Sequence, residues 1–288
     1  MPDYKIITDS CCDFTNAQYQ ELDVAFAPLS VLYKGVSHEN FSDEKKLKEF
    51  YNSMRAGEMA TTSAVNPEGW VKIMEPILAA GQDILTLAFS SGLSTTYQSA
   101  VIAAGELQEK YPQRKINVVD TLCAAHGQGL LVWYACKKRD SGMSLDELTA
   151  WCEENKLHVC HWVTVDDLNH LKRGGRVSAS TAFVGTMLNI KPIIYVNDEG
   201  KLVNTAKVRG RKAAMELLAS KLGEQGKGYD NETVFISHGD CPEDAEQLTE
   251  IVKEKYGVKN VLIGYVGGVI GSHTGPGVLV LFFMGDKR

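Results

Sequence analysis

The sequence predicts an α/β protein of two domains built on mainly parallel sheets. Three observations predict it: a length of 288 residues, a composition of 44% hydrophobic and 23% charged residues, and short β-branched runs alternating with longer helical patterns. The length suits two ordinary domains. The composition is that of a chain able to bury a sizeable core, and it excludes disordered and collagen-like classes. The alternation is the signature of βα units.

In chain order, Lys5-Ile6-Ile7-Thr8 reads as a first strand, and the capping box Thr15-x-x-Gln18 opens a short helix. Ser42, followed by Asp43 and Glu44, opens another. Asn66-Pro67-Glu68 combines an N-cap, a proline at the first helical position and an acid in the first turn, predicting a helix toward Ala80 that stops at Gly81, with Pro76 inside it. Ile84 to Phe89 is a buried strand, Tyr97 to Tyr111 a helix ended by Pro112, and Ile116 to Val119 a strand. A helix follows Gly127-Gln128-Gly129, and the box Ser144-x-x-Glu147 starts the next. His158 to Thr164 is a strand, after which Gly174-Gly175 interrupts two amphipathic stretches. Pro192 to Val196 and Leu202 to Lys207 flank the turn Asn197-Asp198-Glu199-Gly200 as a hairpin. Thr233 to Ser237, Val261 to Ile263 and Val278 to Phe283 supply further strands. With no linker of low complexity, the domain boundary falls in a short connection near Asn155 to Leu157, dividing the chain into residues 1–156 and 157–288.

Charge and patterning exclude several classes. With 30 Lys plus Arg against 36 Asp plus Glu, the net charge of -6 argues against a nucleic-acid binder that relies on global basicity. The longest apolar run, Val278 to Met284, is too short to span a bilayer, so no integral membrane association is expected. The first residues lack the pattern of a secretory signal, and a cytoplasmic location is expected. Seven cysteines without a C-x-x-C pair read as reduced thiols and small core residues, neither a disulfide framework nor a zinc site.

Four segments carry more polar or glycine-rich sequence than turns need. Thr61-Thr62-Ser63 stands just before the Asn66 cap, where hydroxyls and a helix N-terminus can hold an anion or simply cap the helix. Ser90-Ser91-Gly92-Leu93-Ser94-Thr95-Thr96-Tyr97 follows a buried strand, the position at which open α/β sheets bind ligands. It is not a nucleophile elbow, because Thr96 stands where G-x-S-x-G needs its last glycine. Asp9-Ser10 and Asp120-Thr121 occupy comparable strand ends, as structural turns or site walls. Gly264 to Gly277 is a glycine-rich loop around His273, a better candidate than the other six histidines, among which His158 and His161 lie on or beside a strand unsuited to joint metal ligation. Leu171-Lys172-Arg173-Gly174-Gly175-Arg176-Val177-Ser178, with Lys191, Lys207, Arg209, Arg211 and Lys212 downstream, is either a phosphate or acidic-partner surface or a solvated face. No phosphate-binding G-x-x-x-x-G-K-[ST] exists, and Gly127-x-Gly129 lacks the third glycine of a dinucleotide loop.

Together these segments resemble the DegV family of bacterial fatty-acid-binding proteins, which includes the lipid-binding subunits of fatty acid kinase. The resemblance rests on Thr8-Asp9-Ser10, Thr61-Thr62-Ser63, Ser90 to Ala100, Asp120-Thr121, Leu171 to Ser178, Lys207-Val208-Arg209-Gly210 and His273-Thr274-Gly275-Pro276-Gly277. Two departures stand out: Ala64-Val65 where the family usually has Gln-Pro, and Thr95 where a glycine commonly follows the Leu-Ser pair.

The resemblance implies one long-chain fatty acid held between two α/β domains, the first with the headgroup loops and the second with the acyl-chain pocket and the His273 loop. Its implied ligand-binding residues are Thr61, Thr62, Ser63, Ser91, Gly92, Ser94, His273 and Thr274, with no catalytic residue, metal or cofactor of the chain's own. A kinase catalytic subunit would bring ATP and phosphorylate the carboxylate, docking on Arg173, Arg176, Lys207, Arg209 and Arg211. Burying about 14 methylenes at about 0.8 kcal/mol each offers on the order of 11 kcal/mol before ordering costs. Phe183, Met187 and Leu188 are candidates for either the tunnel or the core. The competing readings are an esterase or acyltransferase using Ser91 or Ser94 with His273 and Asp9 or Asp120, and a lipid sensor without a catalytic partner.

Overall fold

In the computed structural model, which describes residues 3–41, 43–177, 189–286 and 288, the chain opens with β1 (Tyr4–Asp9), a strand buried along nearly its whole length. The box at Thr15 forms as expected and starts α1 (Asn16–Glu21), with Thr15 and Gln18 each capping the other's backbone amide. Next come β2 (Ala25–Ala27), β3 (Ser30–Tyr33) and β4 (Val36–Glu39), then α2 (Glu44–Arg55), capped by Asp43. Ser42, Phe183, Met187 and Leu188 lie outside the described residues. β5 (Ala60–Ser63) leads into α3 (Pro67–Ala79), capped by Asn66 and carrying Pro76 inside. The first half continues with β6 (Asp83–Ala88), α4 (Thr96–Lys110), β7 (Ile116–Asp120), α5 (Ala125–Asp140) and α6 (Leu145–Asn155), the last opened by the Ser144–Glu147 box. α5 begins two residues before Gly127, so that both glycines lie within the helix and do not precede it.

The second half holds β8 (Val159–Thr164), α7 (Asn169–Arg173), the hairpin β9 (Ile190–Val196) and β10 (Leu202–Arg209), and α8 (Arg211–Gln225). It ends with β11 (Thr233–His238), α9 (Pro242–Tyr256), β12 (Asn260–Tyr265), α10 (Gly268–Thr274) and β13 (Leu279–Met284).

The two-part α/β architecture is as the sequence predicts. Parallel pairing, however, is complete only in the first sheet, ordered β2-β1-β6-β7. The second, β10-β9-β8-β13-β11-β12, is antiparallel except at β11·β12. Only there does a helix return the chain across the sheet to lie parallel with its neighbour. β9 and β10 are joined by a tight turn, and β13 inserts between β8 and β11 against both. A small antiparallel sheet, β4-β3-β5, has no counterpart in the sequence reading.

α5 joins the two layers. It packs against β6 of the first sheet and β8, β11 and β13 of the second, and its Leu130, Leu131, Val132, Ala135 and Cys136 are buried in one core with Leu85, Val163 and Phe282. A helix covered on both sides reads as apolar almost all round. Six of the seven cysteines are buried, as small core residues. Bonds between the halves include Tyr51 Oη to the Val266 carbonyl at 2.7 Å and Ser90 Oγ to the Gly200 carbonyl at 2.8 Å.

Candidate functional site

Between the carboxyl ends of the first sheet and the inner face of the second lies a cavity of about 450 Å³. Its walls are apolar over most of their extent. Val163 on β8, Val196 on β9, Leu202 on β10, Val266, Val278, Val280 and Phe282 come from the second half, and Leu29, Phe89 and Leu93 from the first. Polar groups gather where Thr62, Ser91, Ser94, Arg176, His273 and Thr274 meet.

Thr62 reaches this end because β5 is a strand. Its neighbours Thr61 and Ser63 point the other way and are exposed, while half-buried Thr62 faces inward. The triplet is therefore no cluster of three equivalent hydroxyls, and strand alternation selects the middle one. Thr62 Oγ1 lies 2.8 Å from Nε2 of His273. His273 stands on α10, a helix where the sequence suggests a glycine-rich loop. Its Nδ1 is buried without a hydrogen-bond partner, and a Cβ on Gly174 would lie 2.2 Å from that nitrogen, so residue 174 must be small for the ring to sit there. Burial, and then the charge of Arg176, pull His273 down to about 4. At neutral pH the imidazole is uncharged, one nitrogen a donor and the other an acceptor.

The loop after β6 supplies the rest. Ser94 Oγ lies 2.8 Å from Thr96 Oγ1 and accepts from the Thr96 amide at 3.2 Å, so it braces the turn leading into α4 as well as lining the cavity. The Ser91 amide donates to Asp120 at 3.1 Å, which places Asp120 as a loop anchor. Gly92 is absent from the wall: a Cβ there would come within 2.5 Å of the Glu199 carbonyl, and the residue lets the loop press on the β9–β10 turn. Thr274 is buried and donates to the Ile270 carbonyl at 3.2 Å.

Two residues gain a place that their sequence positions do not announce. Arg176 lines the cavity, its Nε donating to the Leu93 carbonyl at 3.2 Å and its Nη1 to Gly174; among the described residues it is the only lysine or arginine on the wall. His161 also lines it, 2% exposed, with Nδ1 2.9 Å from the Val159 carbonyl and Nε2 accepting from the Ala124 amide at 3.2 Å. Burial, then Arg288, hold it at about 3. The strand position of His161 gave only alternation, which says nothing about which sheet face borders a cavity.

Thr62, Arg176 and His273 also wall a smaller recess of about 250 Å³ with Arg173, His170 and Met59. The polar end of the cavity is thus bordered by a second, more polar hollow. Arg173 is exposed, its Nη2 2.9 Å from His170 Nδ1. Lys207 and Arg209 are exposed on β10, at the edge of the sheet. Arg211 is half-buried and paired with Asp244 at 2.8 Å and Asp166 at 3.7 Å, which neutralises it.

The serine–histidine–acid arrangement of a hydrolase does not assemble here. His273 Nε2 meets Thr62, and Asp9 is engaged by the amides of Cys11 at 2.9 Å and Phe89 at 2.7 Å and by Gln128 at 3.2 Å. Among the described residues, no group of three or more His, Cys, Asp or Glu side chains is placed to hold a metal ion. No helix among them is long and apolar enough to cross a membrane.

A largely apolar cavity with one polar end, lying between two α/β layers, has the form of a site for a small amphipathic molecule. Comparison with known proteins gives the family. The pattern of the DegV family, described as uncharacterised protein, DegV family, matches residues 3–286. A DegV domain-containing protein of Clostridium perfringens is 47% identical over 100% of this chain and 99% of its own. The crystal structure of a DegV lipid-binding protein from Thermotoga maritima superposes with a TM-score of 0.86 at 28% identity, covering 100% of both chains. A DegV family protein from Thermus thermophilus, described for its fatty acid binding, superposes with a TM-score of 0.86 at 29% identity over 98% of this chain and 99% of its own. The chain belongs to the DegV family.

Proposed function

We propose that this protein binds one long-chain fatty acid between its domains, residues 1–156 and 157–288, and presents the carboxylate to a separate ATP-dependent kinase subunit that forms the acyl phosphate. The observation that carries the reading is the polar end of the cavity, where Thr62, His273 and Arg176 stand at the boundary between an apolar chamber and an outer recess. The apolar wall suits the acyl chain, and the cation with two neutral hydrogen-bonding groups suits a carboxylate. A carboxylate held there would face the recess, as phosphorylation by a second protein requires. Ala64 and Thr95, the two departures from the usual pattern that touch the wall, lie on this same cavity and would tune its fit. The esterase reading has less support, because Ser94 is engaged with Thr96 and His273 with Thr62.

Native mass spectrometry of the purified protein tests the ligand: a co-purifying fatty acid is expected, and an acyl adduct on Ser91 or Ser94 would favour the hydrolase. Thr62→Ala and His273→Ala should each weaken fatty acid binding roughly 10- to 100-fold, the range of one hydrogen bond to a charged group. A fatty alcohol of equal length should bind less well than the acid. Unchanged titrations in both variants would remove these residues from the headgroup site.

Docking of the kinase subunit is assigned to exposed Arg173, with Lys207 and Arg209 as further contacts. Arg176, on the cavity wall, and Arg211, in its ion pairs, are less free to meet a partner. Exposed charges act over a Debye length of about 8 Å at physiological salt, so the coupled reaction should slow as ionic strength rises. Arg173→Glu should slow the coupled reaction several-fold at low partner concentration and leave fatty acid affinity in place. Normal coupling in that variant would make Arg173 part of a solvated face.

A further inference from the structure

A second recess, of about 470 Å³, lies where the two halves meet at the carboxyl ends of β11 and β12, opposite the turn after β1. Val266 and Val269 face the acyl cavity, whereas Gly267 between them borders this recess. Ligands of open α/β sheets characteristically sit outside the carboxyl ends of parallel strands, and β11·β12 is the parallel pair of its sheet.

Asp13 is the unusual group here. It is 5% exposed, sits in the left-handed region at φ 59°, and borders the recess. The Gly267 amide approaches it, yet neither carboxyl oxygen completes a hydrogen bond of normal geometry, and burial pushes the acid well above the ordinary carboxylate range. A buried carboxyl left without partners is costly, and native proteins seldom retain one without a use.

None of the neighbouring side chains bonds to Asp13. Asn40 commits its Nδ2 to the Ser10 carbonyl at 2.8 Å and its Oδ1 to the Val269 amide at 3.0 Å. Thr15 and Gln18 cap each other. His126 Nδ1 lies 2.6 Å from Ser237 Oγ, and His238 Nδ1 accepts from the Cys241 amide at 3.3 Å. Glu44 adds an exposed carboxylate, and Tyr265 a half-buried ring 4.3 Å from that of His238. Among the described residues no lysine or arginine lines the recess, and no group of acids and histidines is placed to ligate a metal. What is missing is a donor-rich cation. An ammonium or guanidinium offers three to five donors and no acceptor, pairs with carboxylates, and is attracted to a tyrosine face.

We propose that this recess is a second ligand site, for a small organic cation whose ammonium or guanidinium group pairs with Asp13 while Glu44 and Tyr265 hold its outer part. The probes are putrescine, agmatine and n-butylamine, titrated into the full-length protein by calorimetry, with n-butanol as the uncharged control. Saturable binding of at least one amine at or below about 1 mM, with none of the alcohol, is expected. Asp13→Asn retains the shape and suits a left-handed backbone, and it should weaken amine binding at least tenfold. Glu44→Gln and Tyr265→Leu should each weaken it several-fold, and fatty acid binding should persist in all three. The proposal is overturned if no amine saturates, if the alcohol binds equally well, or if Asp13→Asn binds as the parent does. Should Asp13→Asn fail to fold, unchanged affinity in both other variants overturns it instead.

Discussion

Gly127→Ala should destabilise the protein by about 3 kcal/mol or more, although alanine in a helix interior ordinarily stabilises relative to glycine by up to about 1 kcal/mol. Gly127 lies in the first turn of α5, and a Cβ there would sit 2.1 Å from Nε2 of His161 and 2.6 and 2.7 Å from two ring carbons. That ring cannot step aside cheaply. It is 2% exposed, bonded at both nitrogens to backbone, and set edge-on to Phe282 with centroids 5.3 Å apart. Moving it would break buried hydrogen bonds worth about 1–3 kcal/mol in desolvation, in addition to the overpacking. Urea denaturation should show a lower midpoint with little change in slope. Gly105→Ala, on α4 with nothing within 4 Å of its Cβ, should stabilise slightly and serves as the control. Adding His161→Ala to Gly127→Ala should recover part of the loss, since the clash belongs to the pair. A loss that ignores residue 161 would place the strain in the helix backbone.

Local signals in the sequence were legible where local chemistry decides the structure. The boxes at Thr15–Gln18 and Ser144–Glu147, the Asn66-Pro67 entry and the Asn197–Gly200 hairpin all form because neighbouring residues satisfy the freed backbone groups. The β3–β5 sheet was not legible. β4 is exposed along its whole length, and β5 reads Ala-Thr-Thr-Ser, so neither presents an apolar alternation. Strand direction was equally hidden, because a β-branched run carries no record of whether its partner arrives through a helix or a turn. α10 was masked by its glycines, which look like a loop but allow close packing: a Cβ on Gly271 would meet the Tyr51 hydroxyl at 2.4 Å. At the site, the hydroxyl loops and His273 stood out as unusual composition. Arg176 did not separate from its basic neighbours, since only the tertiary fold turns it toward the cavity while Arg173 stays outside.

Acid should unfold this protein steeply between about pH 6.5 and 4, because three histidines are buried, and a fourth, His273, half-buried, in their neutral form. Burial is the leading cause in each case, holding His126 and His161 at about 3 and His238 and His273 at about 4. The geometry of His161 shows why: one nitrogen donates to a carbonyl and the other accepts from an amide, so an added proton would set N–H against N–H. Their ordinary value is 6.5, so near pH 5 the unfolded chain takes up four protons that the native state refuses. This stability is present above the unfolded value and is lost as the pH falls. Two buried acids act in the opposite sense. Burial lifts Asp9 to about 6 and Asp13 well above its usual range, so the native state binds protons there that the unfolded chain does not. Over these six groups the excess on the unfolded side is then about two protons, each worth about 1.4 kcal/mol per pH unit, or on the order of 3 kcal/mol per unit. Against a total stability of about 5–15 kcal/mol, a fall of two pH units removes much or all of it. Urea midpoints measured from pH 7 to 4 should therefore drop sharply. His238→Asn, whose side-chain oxygen can still accept from the Cys241 amide, should flatten the dependence by about one proton, or about 1.4 kcal/mol per pH unit. An unaltered slope in that variant would mean that His238 takes up its proton in the native state, and that the acid sensitivity resides in the other three rings.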